Sequence, residues 1–439
     1  MKICYRVLQT RWPGAQEWRN WGFVYRQGDD PSAPLSLHHN LDEFQEVVQP
    51  ALRRMRGLSP SLEEADVILE GVNDLYRFDE PICEHVADGP ESAIVNAIEA
   101  RILSLERMKR HEAAEADIRI FTGRANRPLA QAVAHQLGSP LSALTTRSFP
   151  DTEVYVTIDE VVRKADVFVI QPCTAPVNEH LMELLLIVDV LRRSSAAQIT
   201  AIIPYYPYAR QERMAQGREA VSARVVATML ETIGVDRIIY IDIHSEATQG
   251  FFTLPVDRLQ AYPILSDYFR DKPYLKDAVI VSPDVGRARL AGLYAEALEI
   301  PMVLMHKRRQ PGGQVETTHV VGDVKNKIPI LIDDIIASGS VLTQVPELLK
   351  QGARPEMHVA ITHPVLLPSA LERLDADWLA ELVVTDTVLV PPPKQHPKLH
   401  ILSVAPMLAY AIRGIHRGTS ISPLWRSDAP RMLGFYDEI

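Results

Sequence analysis

The sequence is short of cysteine, of long apolar runs and of net positive charge, and each shortage excludes a class of protein. It has 3 cysteines, Cys4, Cys83 and Cys173, in 439 residues. They are too few and too scattered for a disulfide framework or a zinc site, which leaves a reducing compartment as the default. We therefore expect a cytoplasmic protein.

Charge and hydropathy exclude two kinds of partner. The formal net charge of -10 at pH 7 disfavours a nonspecific nucleic-acid or membrane-surface binder, although it leaves room for a local basic groove that takes a small phosphate ligand. Arg11 and Trp12 come before any long apolar run, and no stretch reaches the roughly 18 to 20 apolar residues that a membrane helix needs. We expect small-molecule ligands, with neither nucleic acid nor membrane as a partner.

The chain has enough residues for about three domains, and its hydrophobic fraction of 46% supplies an ample core. Residues 1–115 differ from the rest in their sequence pattern. They contain a cluster of Trp12, Trp18 and Trp21 and an amphipathic helical pattern at about 91–110. We expect a separate α+β extension that packs on the core or on a neighbouring chain. The alternative is that its tryptophans line a site.

From residue 116 onward, short apolar runs alternate with helical patterns, which is typical of α/β folds with parallel sheets. The predicted strands are at 117–121, 167–170, 199–203, 237–241, 278–281, 302–305, 330–332 and 356–362, and the predicted helices at 128–136, 180–191, 222–233, 290–298 and 341–349. We expect two similar α/β domains at 116–264 and 265–415, followed by a C-terminal tail at 416–439.

The most informative stretch is an apolar strand that runs into Asp333 and Asp334 and then into the small-residue loop 337–340. Adjacent carboxylates accept hydrogen bonds from hydroxyls, and backbone N–H groups of a tight turn bind anions. The pattern suits a sugar phosphate. Taken alone, it is also compatible with an exposed acidic turn.

Two segments that combine aromatic and charged residues indicate a nucleotide-binding site. The run Phe149–Glu153 is predicted to lie near a strand start, where an extended backbone would project Phe149, Asp151 and Glu153 to one side to hold a base. A strand-edge acid pair with a core phenylalanine is the alternative. The segment Tyr205–Arg213 follows a predicted strand, where parallel sheets place ligands, and its arginines suit phosphate oxygens.

Further polar groups follow other predicted strands. His244 stands after the strand at 237–241, where it could be a magnesium ligand or a structural hydrogen bonder, and Asp284 stands after the strand at 278–281. The basic cluster His306–Arg309 leads into the segment 310–314, which has no hydrophobic anchor. We interpret this cluster as a mobile cationic flap of the kind that serves phosphoryl transfer.

Taken in this order, the segments resemble the ribose-phosphate diphosphokinase (phosphoribosyl pyrophosphate synthetase) family, a branch of the type I phosphoribosyltransferase fold. The resemblance covers about residues 117–425, and residues 1–115 are an added amino-terminal domain. The segments that carry it are FTGRAN from Phe121, FPDTE from Phe149, IQPCTAPVNEHLMELL from Ile170, PYYPYARQER from Pro204, DIHSEATQGFF from Asp242, SPDVG from Ser282, HKRR from His306, LIDDII from Leu331, ITHPVL from Ile361, VVTDTV from Val383 and SVAPMLAYAI from Ser403.

The resemblance implies transfer of the β,γ-diphosphate of ATP to the anomeric hydroxyl of ribose 5-phosphate, with Mg²⁺ as cofactor, and a homo-oligomer that is a hexamer or is built from dimers. The implied roles are as follows: ATP binding by Phe149, Asp151, Glu153, Arg210, Gln211 and Arg213; ribose-phosphate binding by Asp333, Asp334, Ser338, Gly339 and Ser340; metal binding by His244 and Asp284; and catalysis by Lys307 and Arg309.

Several positions depart from the family's pattern. The family usually has an acid at the position of Ala337, a hydroxyl at Val341 and a second glycine at Arg287, and often a glycine at Thr152. The altered loop motivates an alternative acceptor, a ribose with another 5-substituent such as ADP-ribose. A third hypothesis is a catalytically silent regulatory paralogue, against which the retained Lys307 and Arg309 count.

Overall fold

The computed structural model describes residues 118–214, 216–309 and 315–435, together with five strands before residue 118. For those five strands, and for residues 307–309 and 315–318, only the backbone is described. The chain divides into two compact units, Met1–Glu115 and Ala116–Ile439.

The first unit contains an antiparallel sheet. Its strands are β1 (Lys2–Thr10), β2 (Arg19–Gln27), β3 (Ser36–His39), β4 (Tyr76–Phe78) and β5 (Ile82–His85). Strand order is β3-β2-β1-β4, and β5 also pairs with β1. The predicted helix at 91–110, Trp12 and Trp18 lie outside the described residues, and of Trp21 only the strand backbone is described.

The second unit begins with a parallel sheet and a hairpin. The strands are β6 (Ile118–Thr122), β7 (Leu144–Ser148), β8 (Val154–Ile158), β9 (Asp166–Ile170), β10 (Gln198–Ile203), β11 (Arg237–Ile241) and β12 (Val256–Leu259). The sheet has the order β12-β11-β10-β9-β6, whereas β7 and β8 pair only with each other. Every residue of β9 is buried, as expected for a parallel strand covered on both faces.

A second, larger sheet follows. Its strands are β13 (Ala278–Ser282), β14 (Met302–Arg309), β15 (Val315–Val321), β16 (Ile328–Ile336), β17 (Met357–Pro364), β18 (Leu379–Thr385) and β19 (Leu399–Leu402). The order is β15-β14-β13-β16-β17-β18-β19, and only the β14–β15 pair is antiparallel. The parallel sheets confirm the predicted α/β class.

Helices connect and cover the strands. They are α1 (Arg127–Leu137), α2 (Val177–Arg193), α3 (Ser222–Ile233), α4 (Tyr262–Arg270), α5 (Ala288–Leu298), α6 (Val345–Lys350), α7 (Pro368–Leu371), α8 (Ala405–Arg417) and α9 (Ala429–Met432). The ends of α1 follow from its sequence, since Asn126 accepts a hydrogen bond from the Leu129 amide and Gly138 ends the helix with a φ of 67°. In the described part of the chain, no helix is both long and apolar enough to span a membrane.

The C-terminal segment is part of the packed structure. Helix α8 contacts α1, and buried residues from both parallel sheets share one apolar cluster. The predicted boundary at 415/416 falls inside α8. Farther along, the Trp425 indole N–H donates to the carbonyl of Arg258 at 3.0 Å, and Tyr262 donates to the carbonyl of Trp425 at 2.8 Å.

A buried polar network stabilises the larger sheet. Glu381 of β18 accepts hydrogen bonds from the Tyr268 hydroxyl at 2.7 Å and the Tyr274 hydroxyl at 3.0 Å, and its carboxylate lies 2.8 Å from Nδ1 of His358. Burial alone would raise the pKa of Glu381, but the hydrogen bonds from His358 and the tyrosines outweigh it and lower the pKa to about 2.

We expect Glu381→Gln to lower the free energy of unfolding at pH 7 by about 2–3 kcal/mol, because the folded state prefers the ionised carboxyl. The folded pKa lies below the unfolded value of about 4.3, so this stabilisation is complete above that pH and is lost as the pH falls toward 2. Urea unfolding across that range measures it. The exposed Glu372→Gln is the control, and equal losses in both variants would contradict the prediction.

Candidate active site

A cavity of about 500 Å³ lies where the two parallel sheets meet. It is lined by residues that follow β9, β10 and β11 and by residues of β16 and β17: Cys173, Pro176, Val177, Asn178, Tyr205, Tyr206, Pro207, Tyr208, Ala209, Arg210, Gln211, Ile241, Asp242, Ile243, His244, Asp334, Ile335 and His363. The carboxyl ends of parallel strands are the usual ligand-binding edge of such sheets. This cavity is therefore the candidate active site.

Two of the predicted ATP-binding residues of the segment after β10 line the cavity. They are Arg210 and Gln211, and the Gln211 side-chain oxygen accepts a hydrogen bond from Ser222 at 2.7 Å. Arg213 does not line it. The Arg213 side chain is 83% exposed and lies 3.6 Å from the carboxylate of the adjacent Glu212.

The predicted base-binding segment Phe149–Glu153 lies near a strand start, directly before β8, but the prediction that its backbone is extended is wrong. It forms the turn between β7 and β8, closed by the Phe149 amide donating to the Glu153 carbonyl at 2.8 Å. The Phe149 ring meets Tyr155 edge-on at 6.0 Å, and the Glu153 amide donates to Asp151 at 3.3 Å. None of Phe149, Asp151 and Glu153 lines the cavity.

Thr152 takes a strained conformation in this turn, with a φ of 75°. Left-handed backbone is disfavoured for a β-branched residue, whereas glycine adopts it without steric cost. We expect Thr152→Gly to raise the free energy of unfolding by about 1 kcal/mol, as measured by urea unfolding. Thr152→Ala keeps the Cβ atom and should gain less. A loss of stability in Thr152→Gly would contradict this account.

The predicted ribose acids lie within β16, because the strand continues to Ile336 rather than ending at residue 332. Asp333 pairs with Ile361, and Ile335 pairs with His363 of β17. Asp334 is buried at 3% exposure, with one carboxylate oxygen 2.8 Å from Nδ1 of His244 and the other, Oδ1, lacking a hydrogen-bond partner among the described residues. A buried oxygen of this kind requires a partner from a ligand or water.

Arg287 occupies the same acidic cluster. In the sequence, the only indication of this was that Arg287 stands where the family usually has glycine. Its Nε donates to Asp333 at 3.1 Å, and its Nη2 donates to Asp334 at 2.7 Å. The same Nη2 lies 2.6 Å from Nδ1 of His244, and Nη1 donates to the His244 carbonyl at 3.3 Å. The guanidinium thus ties the strand β16 to the loop after β11.

The two acids differ in their preference for a proton. Burial would raise the pKa of Asp334, but the His244 hydrogen bond and the charge of Arg287 lower it to about 2. Burial and the adjacent charge of Asp334 raise the pKa of Asp333 well above its usual range. Asp334 is therefore the member of the pair that carries the negative charge.

The predicted metal ligands His244 and Asp284 have different neighbours. His244 belongs to the cluster above, while Asp284 accepts a hydrogen bond from the Arg287 amide at 3.2 Å at the start of the 3₁₀ turn Val285–Arg287. Among the described residues, no group of at least three His, Cys, Asp or Glu side chains is close enough to hold a metal. The unpartnered Oδ1 of Asp334 is the type of hard oxygen that Mg²⁺ prefers.

The loop after β16 is held by its carbonyls and presents its amides. Ser369 and Arg373 donate to the Ser338 carbonyl at 3.0 and 2.8 Å. In the described hydrogen bonding, the amides of Ser338, Gly339 and Ser340 have no acceptor. Gly339 has a φ of 74°, and a Cβ atom there would lie 3.0 Å from the Ala370 backbone, so this turn requires glycine.

The altered loop positions face different environments. Val341 is 8% exposed and belongs to an apolar cluster, so its methyl groups replace the family's hydroxyl within a core contact. Ser338 and Ser340 are exposed and retain hydroxyls at the loop surface. The loop therefore keeps donors for an anion although Val341 supplies none.

Two buried residues that were not predicted as site residues join the halves of the unit. Asp242 accepts hydrogen bonds from the Ala261 amide at 3.0 Å and the Thr362 hydroxyl at 2.7 Å, and burial raises its pKa to about 6. His363 Nε2 lies 3.1 Å from the Ile241 carbonyl, and burial lowers the pKa of this imidazole to about 4. Both line the cavity and hold β11 against β17.

The basic cluster His306–Arg309 belongs to a strand, so the prediction that β14 ends at residue 305 is wrong. Lys307 pairs with Thr317 and Arg309 with Val315 in the antiparallel β14–β15 hairpin. The side chains of Lys307 and Arg309, and the residues 310–314 between the strands, lie outside the described part of the structure. Their predicted catalytic role stays a prediction.

Comparisons with known proteins bear on this arrangement. Residues 118–234 match the family model of the N-terminal domain of ribose phosphate pyrophosphokinase, and residues 314–426 match that of the phosphoribosyl synthetase-associated domain. The chain is 42% identical over 331 residues to ribose-phosphate pyrophosphokinase 2, chloroplastic, of Oryza sativa subsp. japonica, which covers 75% of this chain and 82% of the rice protein. The chain belongs to the ribose-phosphate pyrophosphokinase family.

Other relatives give the same result. The ribose-phosphate pyrophosphokinase of Gloeobacter violaceus is 43% identical over 311 residues, which is 70% of this chain and 93% of that protein. The crystal structure of phosphoribosylpyrophosphate synthetase from Mycobacterium smegmatis superposes with a TM-score of 0.65 at 42% identity, covering 69% of this chain and 99% of that one. The predicted fold and family are confirmed, and about a third of this chain lies outside the structural match.

Proposed function

We propose that the protein transfers the β,γ-diphosphate of ATP to the anomeric hydroxyl of ribose 5-phosphate, giving phosphoribosyl pyrophosphate and AMP. One observation carries the proposal. A single cavity brings Arg210 and Gln211, from the loop after β10, to the same space as the buried carboxylate of Asp334. An arginine whose forked donors suit phosphate oxygens thus shares a cavity with a carboxylate that suits sugar hydroxyls.

The chain's work in this reaction is positioning and electrostatic stabilisation. Asp334, with Asp333 beside it, accepts hydrogen bonds from the ribose hydroxyls, and the loop amides of Ser338, Gly339 and Ser340 hold the 5-phosphate. Arg210 and Gln211 bind the nucleotide phosphates, which orients ATP for in-line attack by the anomeric oxygen. Lys307 and Arg309 neutralise charge that grows on the transferring group.

Magnesium is the proposed cofactor, with His244 and Asp284 as the residues that hold or orient it. When bound to the phosphates of ATP, Mg²⁺ would neutralise part of their charge. His244 lines the cavity, which supports its role, whereas Asp284 caps a neighbouring turn.

The exposed turn after β7 supports a homo-oligomer, either a hexamer or an assembly built from dimers. Phe149 is 40% exposed and lies on a turn that does not line the cavity. If Phe149, Asp151, Glu153 and Arg213 hold the base, they do so across a subunit boundary, as the family resemblance implies. Light scattering of the full chain tests this, and a monomer would contradict it.

The low cysteine usage supports a cytoplasmic location.

The acceptor is tested by a substrate panel. We propose ribose 5-phosphate, because the loop amides and the two serine hydroxyls remain available to a phosphate; Val341 and Ala337 motivate ADP-ribose as the second candidate. AMP release from ATP is measured with each acceptor at equal concentration. Release that depends on ribose 5-phosphate supports the proposal, and release that depends only on ADP-ribose favours the second acceptor.

A further inference from the structure

The guanidinium of Arg287 is directed at the acidic cluster. Its guanidinium contacts Asp333, Asp334 and the imidazole and carbonyl of His244 at 2.6–3.3 Å. Its side chain is only 16% exposed. Three of the five N–H bonds of the guanidinium are thereby donated to Asp333, Asp334 and the His244 carbonyl.

The guanidinium lies against two adjacent carboxylates, Asp333 and Asp334. Carboxylate oxygens are the hard donors that Mg²⁺ and Mn²⁺ prefer. Here a fixed positive charge lies among those donors and joins residues of β16 to the loop after β11. The planar fork of arginine can donate to both carboxylates at once in a fixed geometry, whereas a lysine ammonium would act as a compact point charge.

One carboxylate oxygen is left out of this network. Oδ1 of Asp334 is buried and has no hydrogen-bond partner among the described residues, and Asp334 lines the cavity. The arginine therefore pairs with the acids without taking this oxygen. If Arg287 served only to block the site, we would expect it to donate a hydrogen bond to Oδ1 of Asp334 as well.

We propose that Arg287 is a positioning residue that acts as a built-in counter-cation for the acceptor acids, so that these acids need no free divalent ion to be held together. The acceptor hydroxyl then binds to Oδ1 of Asp334, a carboxylate that is already paired with a fixed positive charge. The inference rests on the proposed function for the identity of the acceptor, but its main consequence, metal affinity, is measured without turnover.

The test is a titration of the nucleotide-free full chain with Mn²⁺, followed by the electron paramagnetic resonance signal of the free ion. We expect Arg287→Gly and Arg287→Gln to gain a single Mn²⁺ site, bound about tenfold or more tightly than any site in the unaltered protein. Adding Asp334→Asn to either variant should abolish the gained site. Arg289→Gly is the matched control, since this neighbouring arginine is 74% exposed and pairs with Glu246 instead.

A kinetic measurement separates positioning from simple structural support. In Arg287→Gln, KM for ribose 5-phosphate should rise about tenfold at low free Mg²⁺ and recover with excess Mg²⁺, while KM for ATP stays the same.

The proposal is overturned if folded Arg287 variants gain no Mn²⁺ site. It is also overturned if the unaltered protein binds Mn²⁺ in a way that Asp334→Asn abolishes, a result that requires no Arg287 variant. An inactive protein that nevertheless shows the expected Mn²⁺ pattern would reject the proposed function alone.

Discussion

Asp334→Asn is expected to lower kcat/KM for ribose 5-phosphate by about 10²–10³-fold. The Asp334 carboxylate is buried, its pKa is lowered to about 2, one of its oxygens has no hydrogen-bond partner among the described residues, and the residue lines the cavity. The amide has nearly the same shape but removes the charge that pairs with Arg287 and that is proposed to accept the sugar hydroxyl. Much of the loss reflects the buried guanidinium that is left with one anionic partner fewer.

The control for this variant is Asp375→Asn, which changes the same groups at a side chain that is 83% exposed. Initial rates of AMP formation, with ribose 5-phosphate and ATP varied in turn, separate the effects on the two substrates. We expect the loss to fall mainly on the acceptor. An Asp334→Asn enzyme as active as the Asp375→Asn enzyme would show that the buried acid does not bind the acceptor.

Lys307→Ala is expected to lower kcat by about 10²–10³-fold, because a cation that meets charge developing in the transition state contributes more there than in the ground state. The backbone places Lys307 near the end of β14, opposite Thr317 of β15. Since the positive charge of Lys307 is needed in the transition state rather than for binding of ATP, KM for ATP should change far less than kcat.

Lys276→Ala removes the same charge from an exposed position outside the cavity and serves as the control. Single-turnover measurements at saturating ATP would separate the transfer step from product release. If Lys307→Ala left turnover unchanged, the assignment of the β14 cations to catalysis would be wrong. If the unaltered chain itself had no turnover, the hypothesis of a silent regulatory paralogue would be favoured.

The parallel strands could be predicted from the sequence because each is a short, nearly continuous apolar run. Strands such as Asp166–Ile170 and Gln198–Ile203 are buried on both faces, so their pattern is strong and bounded by polar turns. Once the strands were predicted, the polar residues that follow them could be predicted to lie at one edge of the sheet. His244, Arg210 and Gln211 line the cavity because the carboxyl ends of parallel strands meet at one edge.

Strand ends were predicted less well where tertiary pairing overrides local polarity. Two aspartates would ordinarily end a strand, but backbone pairing with β17 carries β16 through them to Ile336. The basic residues 306–309 continue β14 because β15 pairs with them. Phe149–Glu153 reads as extended by composition, yet the antiparallel pairing of β7 with β8 makes it a turn.

The electrostatic centre of the site could not be predicted from the sequence, since it depends on side chains that are far apart along the chain. Arg287 and Asp334 are 47 residues apart, and Asp242 and Thr362 are 120 residues apart. A departure from the family's glycine at 287 indicated that something differs there. Only the three-dimensional arrangement shows the guanidinium between the two acids and His244.

The most direct test of the proposed reaction is ³¹P nuclear magnetic resonance of the full chain with ATP, Mg²⁺ and ribose 5-phosphate. Transfer of the intact β,γ-diphosphate predicts that AMP and a sugar carrying a diphosphate at the anomeric carbon appear together and in equal amounts. Formation of ADP with a sugar bisphosphate, or of AMP and free pyrophosphate independent of the sugar, would contradict the proposed diphosphoryl transfer.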